Sequence, residues 1–265
     1  MSARLRVALI VAGAAAVTAG TAVGVTLATR THVPKSDETP PRFFADPTSP
    51  PAVSRDVRDA LKAWPSGTAR RLRIVAEQHP RNALVRFELG LALALGGQPD
   101  AARQAWRGAE RVQPDSPSAV RAADALHPEA PPGKPPFVAS FTRPRGATER
   151  LLERGIAFQA ALRPVSAERL FAEAAARDPG SAEAQVAAAV GRYDKDHPER
   201  AFSQLGPLAR SFPRAQTVRF HLGLLLIYLR LFPQARKELR LAIADGLKTH
   251  LATQARVLLN ASRKR

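Results

Sequence analysis

The chain has 265 residues, enough for one elongated repeat domain and a tether, and it carries a formal net charge of +17. Because it contains no Cys, disulfides, thiolate metal sites and a Cys nucleophile are excluded. The positive charge predicts attraction to anionic lipid, an acidic wall polymer or an acidic protein, whereas dispersed Arg residues and the scarcity of Tyr and Trp argue against a nucleic-acid partner.

Residues 1–6 form a short basic head, and residues 7–28 form an uncharged run of 22 residues. The run is long enough to cross a bilayer as a helix, and a cleaved signal peptide is the rival interpretation. Abundant Ala and an excess of Arg over Lys are typical of a high-GC bacterial genome. We therefore expect a cytoplasmic head, a single span in a bacterial plasma membrane and an extracytoplasmic C-terminal region, or a secreted protein if the run is cleaved.

Small residues recur every four positions along the uncharged run, and they include Ala16, Gly20 and Gly24. Such a stripe lets membrane helices pack closely, and Gly20 and Gly24 form the Gly-x-x-x-Gly dimer motif. Since half of the run is Ala or Gly, chance spacing is the alternative. Homodimerisation through this face is one hypothesis that the sequence supports.

Two Pro-rich segments follow along the chain. Residues 29–54 are rich in Pro, Thr, Ser and Asp, which predicts an extended tether that buries little surface. Residues 128–147 form a second Pro-rich insert, with Phe137, Val138 and Phe141 in its middle. This apolar cluster predicts docking, either in the groove of the repeats as an internal ligand or on the side of an adjacent helix.

Residues of matching size recur every 34 positions in the second half of the chain: Ala167, Ala201 and Ala235, then Phe171, Leu205 and Leu239. A period of this length predicts stacked helix pairs. Three repeats fill residues 148–249, beginning at positions 148, 182 and 216, and a further repeat at 83–116 lies inside an N-terminal block at 55–127. Small residues allow two helices to approach, a large residue fills the space beside them, and Pro ends the second helix.

The pattern resembles the tetratricopeptide repeat, which has a small residue at position 8, Ala at 20, a large apolar residue at 24, Ala at 27 and Pro at 32. The resemblance covers residues 66–127 and 148–265. It implies an all-α solenoid of stacked antiparallel helix pairs, preceded here by the transmembrane helix and the Pro-rich linkers. Residues 250–265 then form a capping helix and a basic tail.

In that family the first helix of each repeat lines a concave groove that binds a partner. The corresponding positions here are apolar or aromatic: Leu84, Phe87, Leu91, Leu152, Ile156, Val190, Tyr193, Phe220, Leu224 and Tyr228. An apolar groove suits a hydrophobic peptide or an amphipathic helix. The alternative is that these side chains are core, covered by the C-terminal helix or by residues 137–141.

No catalytic constellation, metal-ligand spacing or phosphate-binding loop is present in the sequence. The sequence therefore predicts no enzyme, cofactor or metal site. The leading hypothesis is a membrane-tethered scaffold that binds a partner protein or peptide, with a role in envelope protein assembly or chaperoning. The alternative is a structural envelope protein that binds anionic lipid or wall polymer through its Arg-rich surface, an interaction that salt should weaken steeply.

Overall fold

The computed structural model describes residues 40–262, and all regular structure in that range is helical. The expected all-α class is thus confirmed for this part of the chain. The anticipated span at residues 7–28, its face of Ala16, Gly20 and Gly24, and residues 263–265 of the basic tail lie outside the described residues. Between residues 40 and 262 no helix is both long enough and apolar enough to cross a bilayer.

Twelve helices occur between residues 40 and 262, and they divide between two compact units, with the boundary in the chain after Pro128. The first unit contains α1 (Pro51–Leu61), α2 (Thr68–Gln78), α3 (Ala83–Leu95), α4 (Pro99–Val112) and α5 (Pro117–Leu126). The second unit contains α6 (Ala147–Ala160), α7 (Pro164–Arg177), α8 (Ala182–Gly191), α9 (Glu199–Ser211), α10 (Gln216–Tyr228), α11 (Phe232–Ala244) and α12 (His250–Ser262).

Local sequence signals set where these helices begin. Asn82, Ser116 and Ser181 are N-caps whose side chains accept a hydrogen bond from a backbone N–H in the first turn. Proline occupies the first turn of several helices, where its missing N–H is not needed. Because Pro51 starts α1 in this way, the helix begins four residues before position 55, and the anticipated 29–54 linker is correspondingly shorter.

The helices of each unit stack in chain order. In the first unit α3 packs against α4 and also against α5. In the second unit α8 packs against α6 and α10, so these three first helices form one layer, while α12 covers α10 and α11. The apolar helix α10 is buried on all sides, with Phe220, Leu224 and Leu225 at most 1% exposed. The helix is apolar around its whole circumference because other parts of the second unit pack on every face of it.

The small residue at position 8 of a repeat meets the large residue at position 24 of the same repeat. A Cβ added to this glycine would lie far inside contact distance of the large side chain, at 2.2 Å from Trp106 Nε1 for Gly90, 2.3 Å from Phe171 Cε1 for Gly155 and 2.7 Å from Leu239 Cγ for Gly223. Only glycine allows the first and second helices to approach this closely. The pairing of small with large residues thus sets the spacing of these three helix pairs.

Candidate functional site

Residues 131–141, here called the bound segment, lie on the layer of first helices in the second unit. The Tyr228 hydroxyl at the end of α10 donates a hydrogen bond to the Lys134 carbonyl (3.1 Å), and Val138 contacts His221 in the middle of the same helix. Residues 134–139 lie in no helix or turn, and Lys134 contacts the C-terminal end of α10 whereas Val138 contacts its middle. The bound segment is therefore extended, and it runs antiparallel to α10.

Three polar side chains on α6, α8 and α10 accept backbone hydrogen bonds from the bound segment. The N–H groups of Phe137, Val138 and Ser140 donate to Gln159 Oε1 (3.1 Å), His221 Nε2 (2.9 Å) and Glu183 Oε1 respectively. The Ser140 hydroxyl also donates to Glu183 Oε2 at 2.8 Å. We call this surface of α6, α8 and α10 the second-unit groove.

The His221 ring is held in the form that accepts a hydrogen bond. Its Nδ1 donates to the Thr217 carbonyl at 2.7 Å, which leaves Nε2 as the acceptor for the Val138 N–H. Burial lowers the pKa of His221 to about 4, against the opposing effect of the Thr217 hydrogen bond. The imidazole is therefore neutral at physiological pH, and the contact with the bound segment persists.

An aromatic ring anchors the bound segment. Phe137 is 2% exposed, and its ring meets Phe171 edge-on, with centroids 5.4 Å apart. The same ring stacks on His221 at 5.1 Å. Val138 and Phe141 pack less completely at the margin of the core. The sequence left open whether this insert docks on the groove face or on the side of an adjacent helix. In the structure it lies across the first helices.

The residues expected to line a groove are distributed over both units. Leu84, Phe87 and Leu91 belong to the first unit, and the other seven belong to the second. Leu91 and Ile156 are half-buried, and the rest are buried: Leu84, Phe87, Leu152, Val190, Tyr193, Phe220, Leu224 and Tyr228. Tyr228 contacts the bound segment directly, and Tyr193 packs edge-on against Tyr228. In this conformation eight of the ten apolar residues are interior. The backbone hydrogen bonds to the bound segment are made by polar side chains instead.

The three acceptors in the groove were not part of the predicted set. Gln159 and Glu183 occupy positions 12 and 2 of their repeats, on the face expected to line the groove, but the prediction followed apolar residues only. The sequence offers no spacing that links His221 to another polar residue. A polar residue within the otherwise apolar α10 was the signal that could have found it.

The first unit contains a comparable arrangement. Residues 43–49, here called the leading segment, pack on α3 and α5, where the Phe44 N–H donates to Glu88 Oε1 (3.1 Å). The Phe44 ring lies 6.0 Å from that of Phe87 and 4.8 Å from the Arg121 guanidinium carbon. Asp46 Oδ2 accepts from the backbone N–H (3.0 Å) and hydroxyl of Ser118. This end of the expected linker is thus fixed to the helices rather than a tether that buries little.

The Glu88 carboxyl is buried completely, and its Oε2 has no hydrogen-bond partner among the described residues. Burial raises the pKa of Glu88 to about 7, while the Phe44 N–H and the charge of Arg121 act in the opposite direction. A proton on this carboxyl is therefore held more strongly in the folded chain than in the unfolded chain.

Glu88→Gln is expected to remove a pH dependence from the stability of the first unit. Since the folded-state pKa is raised, the folded chain binds more protons between pH 4.5 and about 7, and stability falls as the pH rises through that range. We expect the free energy of unfolding of the wild type to fall by about 2 kcal/mol between pH 5 and 8 because of Glu88. In the Glu88→Gln variant this fall should be absent. Urea unfolding followed by Trp emission measures this, because Trp64 and Trp106 both lie in the first unit.

Glu77→Gln serves as the matched control, because this carboxylate is exposed on α2. The control should retain the wild-type difference between pH 5 and 8. Parallel pH profiles for the wild type and Glu88→Gln would show that Glu88 is not the buried group described above.

No group of three or more His, Asp or Glu side chains that could hold a metal ion occurs within residues 40–262. No protein-family model matches the chain, and no curated protein matches it significantly.

Proposed function

We propose that this chain is a membrane-tethered scaffold of tetratricopeptide-like helix pairs that binds an extended segment of a partner protein in the second-unit groove. The observation that carries the proposal is the set of three side chains, Gln159, Glu183 and His221, that accept backbone N–H groups from the bound segment. Backbone N–H groups are present in almost any extended peptide, so another chain can supply them. The role is recruitment or holding of a protein, in envelope assembly or chaperoning, without catalysis.

The bound segment acts as an internal competitor in this proposal. Because it is covalently joined to the groove, its effective concentration is on the order of millimolar. A partner gains access only when its own contacts exceed those of the bound segment or when the segment is released. We therefore expect partner binding to increase when the anchors of the bound segment are removed.

The test uses the full-length chain in its native membranes. In the opened variant, Phe137, Val138 and Phe141 are each replaced by Ser, which removes the anchors. Because Phe137 is part of the core of the second unit, helical circular dichroism and a urea transition must first show that the variant is folded. Chemical crosslinking and mass spectrometry should then place partner proteins against α8 and α10, at a level several-fold above that of the wild type. A control with Val165, Leu241 and Val257 replaced by Ser loses three exposed apolar side chains and should behave as the wild type.

The proposal would be contradicted if the wild type, the opened variant and the control gave equal levels of crosslinks. In that case the crosslinks would be confined to Arg residues outside the groove and would be lost at high salt. They would favour binding of anionic lipid or wall polymer through the basic surface. Intact-mass measurement of the mature chain tests the tether separately, because cleavage of the uncharged run would leave a shorter, released protein.

A further inference from the structure

The bound segment and the leading segment resemble each other in sequence. Residues 40–46 read PPRFFAD and residues 135–140 read PPFVAS. Two prolines precede a pair of apolar residues in both, with Arg42 as an additional residue between them in the first, and the pair is followed by Ala and a small polar residue. Aligned on these features, Phe43 matches Phe137, Phe44 matches Val138, Ala45 matches Ala139 and Asp46 matches Ser140.

The aligned residues contact the same positions on the helices. The N–H of Phe44 donates to Glu88, the sixth residue of α3, and the N–H of Val138 donates to His221, the sixth residue of α10. Two residues later the small polar residue meets the second residue of a neighbouring first helix. These pairs are Asp46 with Ser118 of α5 and Ser140 with Glu183 of α8.

Both segments also run in the same direction along the helices. Each passes from the sixth residue of a first helix towards the N-terminal turns, so each is antiparallel to the first helices. They differ in the order of the first helices that they cross. The leading segment crosses from α3 to the following first helix, α5, whereas the bound segment crosses from α10 to the preceding first helix, α8. The two hydrogen-bonded positions, the sixth and the second residue of a first helix, are nevertheless the same in the two units. The aligned rings differ, because Phe43 lies beside Arg58 whereas Phe137 packs on Phe171 and His221.

The chemistry at the second helix position is opposite in the two units. Ser118 donates from its backbone N–H and its hydroxyl, and the partner there is the Asp46 carboxylate. Glu183 accepts through both carboxylate oxygens, and its partner is the N–H and hydroxyl of Ser140. An Asp in place of Ser140 would face the Glu183 carboxylate with no proton to share, so the two contacts are not interchangeable.

We propose that each unit recognises the same linear peptide pattern, two apolar residues including an aromatic, one intervening residue and then a small polar residue. The side chain at the second helix position selects the polar residue: a donor such as Ser opposite Glu183, an acceptor such as Asp opposite Ser118. The ligand of the second-unit groove is thus an extended partner peptide of the Phe-Val-Ala-Ser type. This inference rests on the proposed function and specifies its ligand.

The test titrates synthetic peptides of residues 134–142 (KPPFVASFT) into the full-length opened variant by isothermal calorimetry. N-methylation of Val138 in the peptide removes the N–H that His221 accepts, and binding should weaken at least tenfold. N-methylation of Ala139 is the matched control, because this N–H has no acceptor among residues 40–262. The control peptide should bind within threefold of the unmodified one.

Selectivity is tested with a third peptide that carries Ser140→Asp. It should bind the opened variant at least tenfold more weakly than the unmodified peptide, because its carboxylate meets Glu183. When the protein also carries Glu183→Ser, the two peptides should bind within threefold of each other. This loss of selectivity requires a direct contact, since a preference set by the other basic and acidic residues of the protein would persist in the Glu183→Ser protein.

The contact between residue 140 and Glu183 can also be tested within the protein itself, without a peptide or the opened variant. Ser140→Asp in the otherwise wild-type protein should accelerate hydrogen exchange of the Phe137 and Val138 amides at least tenfold, and adding Glu183→Ser should restore most of their protection, because the acceptors of these two amides are Gln159 and His221. Equal binding of all peptides, or no restoration, overturns the inference while the proposed function stands. Failure of the unmodified peptide to bind an opened variant with intact helical circular dichroism overturns both.

Discussion

Phe137→Ala is expected to lower the free energy of unfolding of the second unit by about 3–5 kcal/mol. The ring is 2% exposed and lies between Phe171 and His221, so its removal leaves a cavity that the helices cannot close. Urea unfolding followed by circular dichroism at 222 nm measures the loss. Trp emission recorded in parallel should remain at its wild-type midpoint, because both Trp residues belong to the first unit.

Phe141→Ala is the control for Phe137→Ala, since it removes an aromatic ring from the same segment. Phe141 is only half-buried, so we expect a loss of about 1 kcal/mol. A loss of similar size for the two variants would show that Phe137 is not the anchor of the bound segment. A shift in the Trp transition would show that the effect is not confined to the second unit.

Gly90→Ala is expected to destabilise the first unit by about 3 kcal/mol. The added Cβ would lie 2.2 Å from Trp106 Nε1, and this rigid ring is fixed by its hydrogen bond to the Phe87 carbonyl at 3.2 Å. The clash outweighs the gain of about 1 kcal/mol in helix propensity that Ala brings over Gly. Urea unfolding followed by Trp emission reads the effect at the site of the clash.

Gly108→Ala provides a matched comparison in the neighbouring helix. Its Cβ would meet the guanidinium end of Arg86 at 3.1 Å, and this flexible side chain can move aside. The gain in helix propensity should then dominate, and stability should be unchanged or higher by up to about 1 kcal/mol. If Gly90→Ala is as well tolerated as Gly108→Ala, the close approach of α3 and α4 is not as described.

The helical architecture was predictable because the repeat records helix packing directly. Gly90 faces Trp106 and Gly155 faces Phe171, and these small and large residues recur at fixed positions in the sequence. Helix ends were also predictable where Ser181 caps a helix. The start of α1 at Pro51 was missed because the Ser49-Pro50-Pro51 sequence is typical of a linker.

The bound segment and the leading segment were harder to place, because an extended chain on a helical layer has no periodicity of its own. The apolar cluster around Phe137 predicted docking, but composition could not choose the surface. The polar residues Glu88 and His221 inside apolar helices contained the missing information, since a buried polar group needs a hydrogen-bond partner. Both lie opposite a backbone N–H of a Pro-rich segment.

Hydrogen exchange of the wild-type full-length chain, resolved to single amides, tests most directly whether the second-unit groove holds the chain's own segment through its backbone. We expect the amides of Val138 and Ser140 to exchange at least tenfold more slowly than that of Ala139, whose N–H has no acceptor among the described residues. Exchange of all three amides at the rate of an unstructured peptide would contradict this expectation, because the groove would then be open.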